Sequence, residues 1–281
     1  MAINNFIPAV WSARLLQNLH TAHVFGQVVN RDYEGEISGY GDQVKINSIG
    51  AITIGDYTKN TNIGDPETLT DAQRILTIDQ SKYFNFQVDD VDKAQQNPKV
   101  MDAAMNEAAY ALNNVSDKFL AGFYTDALAA NLIGNDTTPV VPTKADAYDY
   151  LVDLSTKLTE ADIPTDGRFA VIPPWLYGMI QKDDRFVGTG GVQAEALLRG
   201  GFVGQAAGFN IYLSNNVANT AGAKYKIMAG TREAISFAEQ IVSVEAYRPE
   251  KRFADAVKGL HVYGGKVVRP AALAVLTANK A

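Results

Sequence analysis

The sequence contains no cysteine in 281 residues. That excludes disulfides, thiolate nucleophiles and cysteine-based zinc sites. It has no uninterrupted apolar run long enough to span a bilayer. It begins Met1-Ala2-Ile3-Asn4-Asn5-Phe6, without the basic start and apolar run of a secretory signal. The expectation is a soluble, cytoplasmically made protein with no membrane partner. The glycine-rich stretch 188–208 lacks a G-x-x-x-x-G-K-[ST] loop, no G-x-G-x-x-G follows a strand, and G-x-S-x-G is missing. No phosphate cradle or nucleophile elbow is therefore expected, and the stretch reads as a mobile loop. His20 and His23 stand three apart without a third ligand and read as surface histidines. Asp89, Asp90 and Asp92 precede Asn97-Pro98, where acids favour a helix N-terminus more simply than a metal. A net charge of −6 with no polybasic arm makes the chain a poor neutraliser of phosphates. No catalytic residue, cofactor or metal is expected.

What is present is organised around residues 97–131. Asn97 and Pro98 have the residue types of an N-cap and a first helical position. Met101, Met105, Ala108, Leu112, Val115, Phe119 and Phe123 then recur at steps of three and four, which predicts one apolar face. Asp102, Asn106, Asn113, Asn114 and Asp117 fall opposite. Gly134 and Asn135-Asp136 supply the stop. A helix of that span is roughly 50 Å long, a spine that needs partners along its length. Gly122 is expected to mark a bend.

Before the spine, residues 1–30 read as an arm, with Trp11, Leu15, Leu16 and Leu19 on one face of a short helix. Val44 and Ile46 alternate with Gln43, Lys45 and Asn47, and strand character returns at 74–79 and 83–88. The reading is a two-stranded excursion from Asp32 to Asp79, which has no stability of its own. Between Arg31 and Asp79 there are nine acids and four bases, −5; from Glu245 onward there are three acids and seven bases, +4. Opposite patches fit contact within one chain or between neighbours, or else two unrelated solvated faces.

After the spine, 137–142 reads as a linker and 145–160 as an amphipathic helix through Ala147, Leu151, Leu154 and Leu158. Phe169–Ile172 is an apolar strand, and Pro173-Pro174 opens another helix. Further strands are expected at 210–213, 225–228, 241–247 and 266–276. The tail is expected to pack back on the spine.

Several runs carry a family resemblance. Gly41-Asp42-Gln43-Val44-Lys45-Ile46 resembles the first hairpin strand of tailed-phage coat proteins. Tyr83-Phe84-Asn85-Phe86-Gln87-Val88-Asp89-Asp90, leading to Gln95-Gln96-Asn97-Pro98, resembles their entry to the spine. Arg168-Phe169-Ala170-Val171-Ile172-Pro173-Pro174 with Asp184-Arg185-Phe186 resembles the core of their A domain, and Gly208-Phe209-Asn210-Ile211-Tyr212-Leu213-Ser214-Asn215-Asn216 is the most specific match. The chain thus resembles a major capsid protein with the α+β Hong Kong 97-type phage capsid fold. The resemblance implies an N-terminal arm (1–30), an extended E-loop hairpin (31–80), a P domain with the spine helix (81–135), an A domain (136–235), and P-domain strands with the tail (236–281). It implies hexamers and pentamers forming an icosahedral virion head around double-stranded DNA without sequence-specific binding, and a portal. The short N-terminal arm implies a separate scaffolding protein.

The expected E-loop contact with a neighbouring P domain joins Asp42, Lys45, Asp56, Lys59, Asp65 and Glu67 to Arg248, Lys251, Arg252 and Lys258. Trp11 and Leu15 are expected in an arm interface, and Gly190, Gly191, Gly200 and Gly201 in a loop at the capsomer axis. Some members of the family the chain resembles crosslink neighbours through a hairpin lysine and an asparagine late in the P domain. Lys45 and Lys59 are available here, but the only asparagine in the tail is Asn279, beyond the last expected strand, so covalent crosslinking is not expected. The alternatives are an encapsulin-like nanocompartment shell and a soluble α/β enzyme.

Overall fold

The computed structural model describes residues 24–34, 39–49, 54, 56–57, 59–60, 62, 71–89, 100–183, 202–251 and 254–280. Strands β1 (Gln43–Ile49) and β2 (Asp71–Thr77) form an antiparallel ribbon, with Gln43 opposite Thr77 and Ile49 opposite Asp71. The alternation read in the sequence holds: Val44 and Ile46 are buried while Gln43 and Lys45 are exposed. Strand β3 (Gln80–Asp89) follows after two residues and pairs with β11 (Ala254–Val267), which pairs with β10 (Ile235–Tyr247). This three-stranded sheet is one body of the fold.

The second body is a seven-stranded mixed sheet. Its order is β4 (Leu132–Ile133), β12 (Leu273–Asn279), β9 (Lys224–Thr231), β5 (Arg168–Ile172), β7 (Phe209–Leu213), β6 (Phe202–Ala206), and the short β8 (Asn219–Thr220) pairs with β9. All five residues of β5 are buried; the apolar run Phe169–Ile172 and the strand's central place between β7 and β9 account for four of them. Helix α3 (Ala147–Glu160) lays Leu151, Leu154 and Leu158 in this core, and α4 (Pro174–Gln181) adds Leu176 and Ile180. Arg168 is buried beside them. Its guanidinium donates to the Ser155 carbonyl and the Thr159 hydroxyl at 3.0 Å each, and its Nε to the Pro164 carbonyl at 2.8 Å, so it ties β5 to the end of α3.

The spine differs from its expectation in length and in face. Helix α2 runs Val100–Ala121, about 33 Å. At Gly122 the chain tightens into a 3-10 turn, Gly122–Asp126, and a second short one covers Ala129–Asn131. A Cβ at Gly122 would meet nothing within 4 Å, so the glycine is not there for close packing. The tightening turns Phe123 edge-on to Phe119, with centroids 5.1 Å apart, and over Gly265. The buried stripe is Met105, Ala109, Leu112, Ser116 and Leu120, and it widens to take in Asn113 and Asp117. Val115, assigned to the apolar face from its spacing, is exposed. The cause is a second packing surface: a one-turn helix α1 (Phe25–Val28) lies against α2 on the Asp117 side.

The tail expectation is also corrected. The single strand expected over 266–276 is two, because Pro270, which has no N–H, starts a 3-10 turn between β11 and β12. The segment read as a linker is stitched to β12 instead: Val140 N–H donates to the Thr277 carbonyl at 2.9 Å and Asn279 N–H to the Val140 carbonyl at 2.7 Å. Gly204 and Gly208, counted with a mobile loop, belong to the β6–β7 hairpin. Its two turn residues, Ala207 and Gly208, both have positive φ (51° and 79°), the geometry that matches strand twist. The tail does pack on the spine, with Val244 and Val257 meeting Met105, Ala109 and Leu112.

Candidate functional site

The two faces of the β10–β11–β3 sheet do different things. One face carries Phe84, Phe86, Val244 and Val257 to the spine. The Phe84 ring covers Gly259 so closely that a Cβ there would sit 2.4 Å from it. The other face is covered at one end by the base of the ribbon, where Val44, Ile46, Leu76 and Ile78 meet Ala238 and Val262. Gly264 admits this contact, since a Cβ would lie 2.2 Å from the Thr77 carbonyl oxygen. Past Leu260 no described residue covers this face. Tyr83, Asn85, Ser243, Glu245, Lys258, Gly259 and Leu260 line a shallow depression of about 280 Å³ there. Tyr83 is 79% exposed.

The charges on this shelf are partnered within the β10–β11 hairpin. Lys258 Nζ lies 2.9 Å from a Glu245 carboxylate oxygen and 5.4 Å from the Tyr247 ring centroid; the hydrogen bond it donates to Glu245 raises its pKa. Arg248 Nε lies 3.1 Å from Asp255, and the Tyr247 hydroxyl donates to Asn85 Oδ1 at 3.1 Å. Lys251 is exposed in the turn between the strands. Arg252 lies outside the described residues.

On the ribbon, Asp42 serves the ribbon's own turn. Its carboxylate accepts the Gly39 N–H at 2.9 Å, beside Gly41 at φ 91°, and its carbonyl accepts the Ile78 N–H at 3.0 Å. Lys45, Asp56 and Lys59 are exposed, as are Ile54 (93%) and Tyr57 (72%). Asp65, Glu67, Trp11, Leu15, Gly190, Gly191, Gly200 and Gly201 lie outside the described residues. Sequence reasoning did not single out the anchor at the start of the described chain. Asp117 accepts the Val24 and Gly26 N–H groups; Asn30 exchanges backbone hydrogen bonds with Ile235 and Phe237; Arg31 pairs with the buried Glu239, whose other oxygen lies 3.2 Å from His261 Nε2. Burial, with Asp79 and Glu239 nearby, pushes the Tyr263 hydroxyl beside them up to about 12.

Among the described residues no group of three or more histidine, aspartate or glutamate side chains is placed to hold a metal ion. Nor, among the described residues, is any helix long and apolar enough to cross a membrane. What stands out among the described residues is a sheet face covered at one end and a ribbon whose buried side chains lie at its base.

Residues 73–276 match the sequence profile of the phage capsid protein family. The chain belongs to that family. The capsid protein is also similar to a solved structure from Mycobacterium phage Che8, at 32% identity over 90% of each chain with a TM-score of 0.70. It resembles the capsid structure of cyanophage P-SCSP1u at 17% identity, over 93% of this chain and 89% of that one, with a TM-score of 0.68. An encapsulin of Synechococcus elongatus shares the fold at 14% identity, over 92% and 88%, with a TM-score of 0.61. No curated protein sequence matches. The protein is a structural major capsid protein with an α+β capsid fold, a component of the virion and not an enzyme.

Proposed function

We propose that the capsid protein assembles as hexamers and pentamers into an icosahedral head of the Hong Kong 97 type, enclosing double-stranded DNA without sequence-specific binding. The observation that carries this is the β1–β2 ribbon. Among its described residues the buried side chains lie at the base, while Ile54 and Tyr57 are exposed, and a two-stranded ribbon needs a surface to lie on. In this reading residues 31–80 are the E-loop, crossing a neighbour near Arg248, Lys251, Arg252 and Lys258. Residues 81–135 and 236–281 make the P domain, and 136–235 the A domain. Residues 1–30 reach a neighbour through Trp11 and Leu15, and the loop with Gly190, Gly191, Gly200 and Gly201 faces the capsomer axis. A separate scaffolding protein and a portal complete the head, which is built in the cytoplasm of the bacterial host. Ribbon acids and the exposed Lys251 supply complementary fields that steer the encounter.

The test is electron microscopy of the expressed chain, alone and from infected cells. Closed icosahedral particles are expected, holding DNA when taken from infected cells. Particles filled with cargo protein would instead indicate an encapsulin-like compartment, and a stable isolated monomer under all conditions would end the shell reading.

A further inference from the structure

We infer that the ribbon tip of one copy docks through Ile54 and Tyr57 on the shelf formed by Tyr83, Lys258 and Leu260 of a second copy, and that this contact is apolar rather than ionic. The inference rests on the shell reading above and specifies the chemistry of one of its contacts.

Three observations support it. First, two of the four cations expected to receive the acidic ribbon are already paired, including the only one of them on the shelf: Arg248 with Asp255 and Lys258 with Glu245. An ionic dock would have to break those pairs, whereas an apolar one covers them intact. Second, Ile54 and Tyr57 are the most exposed large apolar side chains described on the ribbon. Beta-strand geometry carries the chain roughly 20 Å from Gln43 to Ile49 before the tip begins. At 93% exposure Ile54 touches almost nothing of its own chain. Third, the shelf continues the surface that the ribbon base already covers at Ala238 and Val262. An incoming tip extends that cover along the same sheet face. The depression of about 280 Å³ takes one or two side chains, less room than a cofactor or drug-sized ligand fills. Tyrosine on both partners suits a contact with an apolar body and a wet edge.

The absence of native cysteine makes the test direct. Ile54→Cys combined with Tyr83→Cys, assembled and then oxidised, is expected to give a ladder of covalent oligomers beyond dimer that collapses on reduction. A faster-migrating monomer would mean the tip folds back on its own shelf, and would overturn the inference. Ile54→Ser with Tyr57→Ser is expected to cut particle yield about tenfold or more and leave the thermal midpoint of the unassembled chain unchanged. The swap Glu245→Lys with Lys258→Glu keeps the pair and is expected to hold yield within about twofold. Particles forming without a ladder, an undiminished yield from the serine variant, or loss of assembly on the charge swap would each overturn it. If the unaltered chain forms no particles even in infected cells, where the scaffolding protein is supplied, it is the shell reading that fails instead.

Discussion

Asp117, near the C-terminal end of the spine helix, accepts the backbone N–H of Val24 at 3.0 Å. The same carboxylate reaches the Gly26 N–H at 3.4 Å, so it satisfies the opening turn of α1 from a different element. This bond fixes the start of α1 against the spine helix.

Asp117→Ala is expected to lower stability by about 1–2 kcal/mol, the range for losing a carboxylate cap in a buried setting. The loss should be local. Limited proteolysis should cut residues 24–34 sooner than in the unaltered protein, while the seven-stranded sheet keeps its hydrogen-exchange protection. Uniform loss of protection across both sheets would show that Asp117 supports the whole fold and not the anchor.

Arg31, Glu239 and His261 form the next tie. Glu239 is buried and serves two partners, so its charge is needed by a half-buried guanidinium. Glu239→Gln is expected to cost about 3 kcal/mol, because it leaves Arg31 short of a counter-charge. Urea unfolding measures it. A cost under about 1 kcal/mol would mean that Glu34, the other carboxylate on Arg31, carries the pairing by itself.

These two anchors mark where the sequence stopped being legible. Local periodicity was readable: Val44-Lys45-Ile46 as a half-buried strand, Leu151, Leu154 and Leu158 as a helix face, Phe169–Ile172 as a buried strand. Those patterns repeat within a few residues, and the burial follows from them. Asp117 sits ninety-three residues from Val24, and polarity alone placed it on the solvent face. The helix has two packed sides, and only the fold brings the second one. The hairpin ion pairs were hidden for a similar reason. Counting charges after Glu245 gives +4, but the count does not see that Glu245 stands directly across from Lys258. The break at Pro270, by contrast, was visible in the residue itself, since a strand interior rarely holds proline.

Two glycines should respond in opposite directions to the same change. Gly264→Ala would drive a methyl group to 2.2 Å from the Thr77 carbonyl oxygen and 2.9 Å from the Ile78 Cα, both backbone atoms of the ribbon base. We expect a loss of about 2–3 kcal/mol, with the ribbon displaced from the sheet. Gly122→Ala meets nothing within 4 Å at a residue without positive φ. It is expected to stabilise by about 0.5–1 kcal/mol through the unfolded chain. Thermal unfolding of the two variants decides the matter, and a destabilised Gly122→Ala would show that the switch to a 3-10 turn depends on glycine.

Lys226 and Asp136 set a dependence on acidity. The Lys226 ammonium is buried between β9 and β12, with Thr277 Oγ1 at 3.4 Å, and its counter-charge is the more exposed Asp136 carboxylate. The hydrogen bond from Lys226, with charge attraction from Lys226 and Lys224, holds Asp136 below its ordinary carboxylate pKa. A carboxyl whose folded pKa is depressed adds stability that is fully present above its unfolded value. That stability is lost as pH falls through the folded value. The contribution is therefore intact at neutral pH and disappears in the acid range below about 4. Asp136→Asn should lower the thermal midpoint at pH 7, and the gap from the unaltered protein should close as the pH is brought toward 3. A gap of constant size across that range would assign the effect to packing of the 135–140 turn, where Asn135 already accepts from the Thr137 and Thr138 N–H groups, and not to the ion pair.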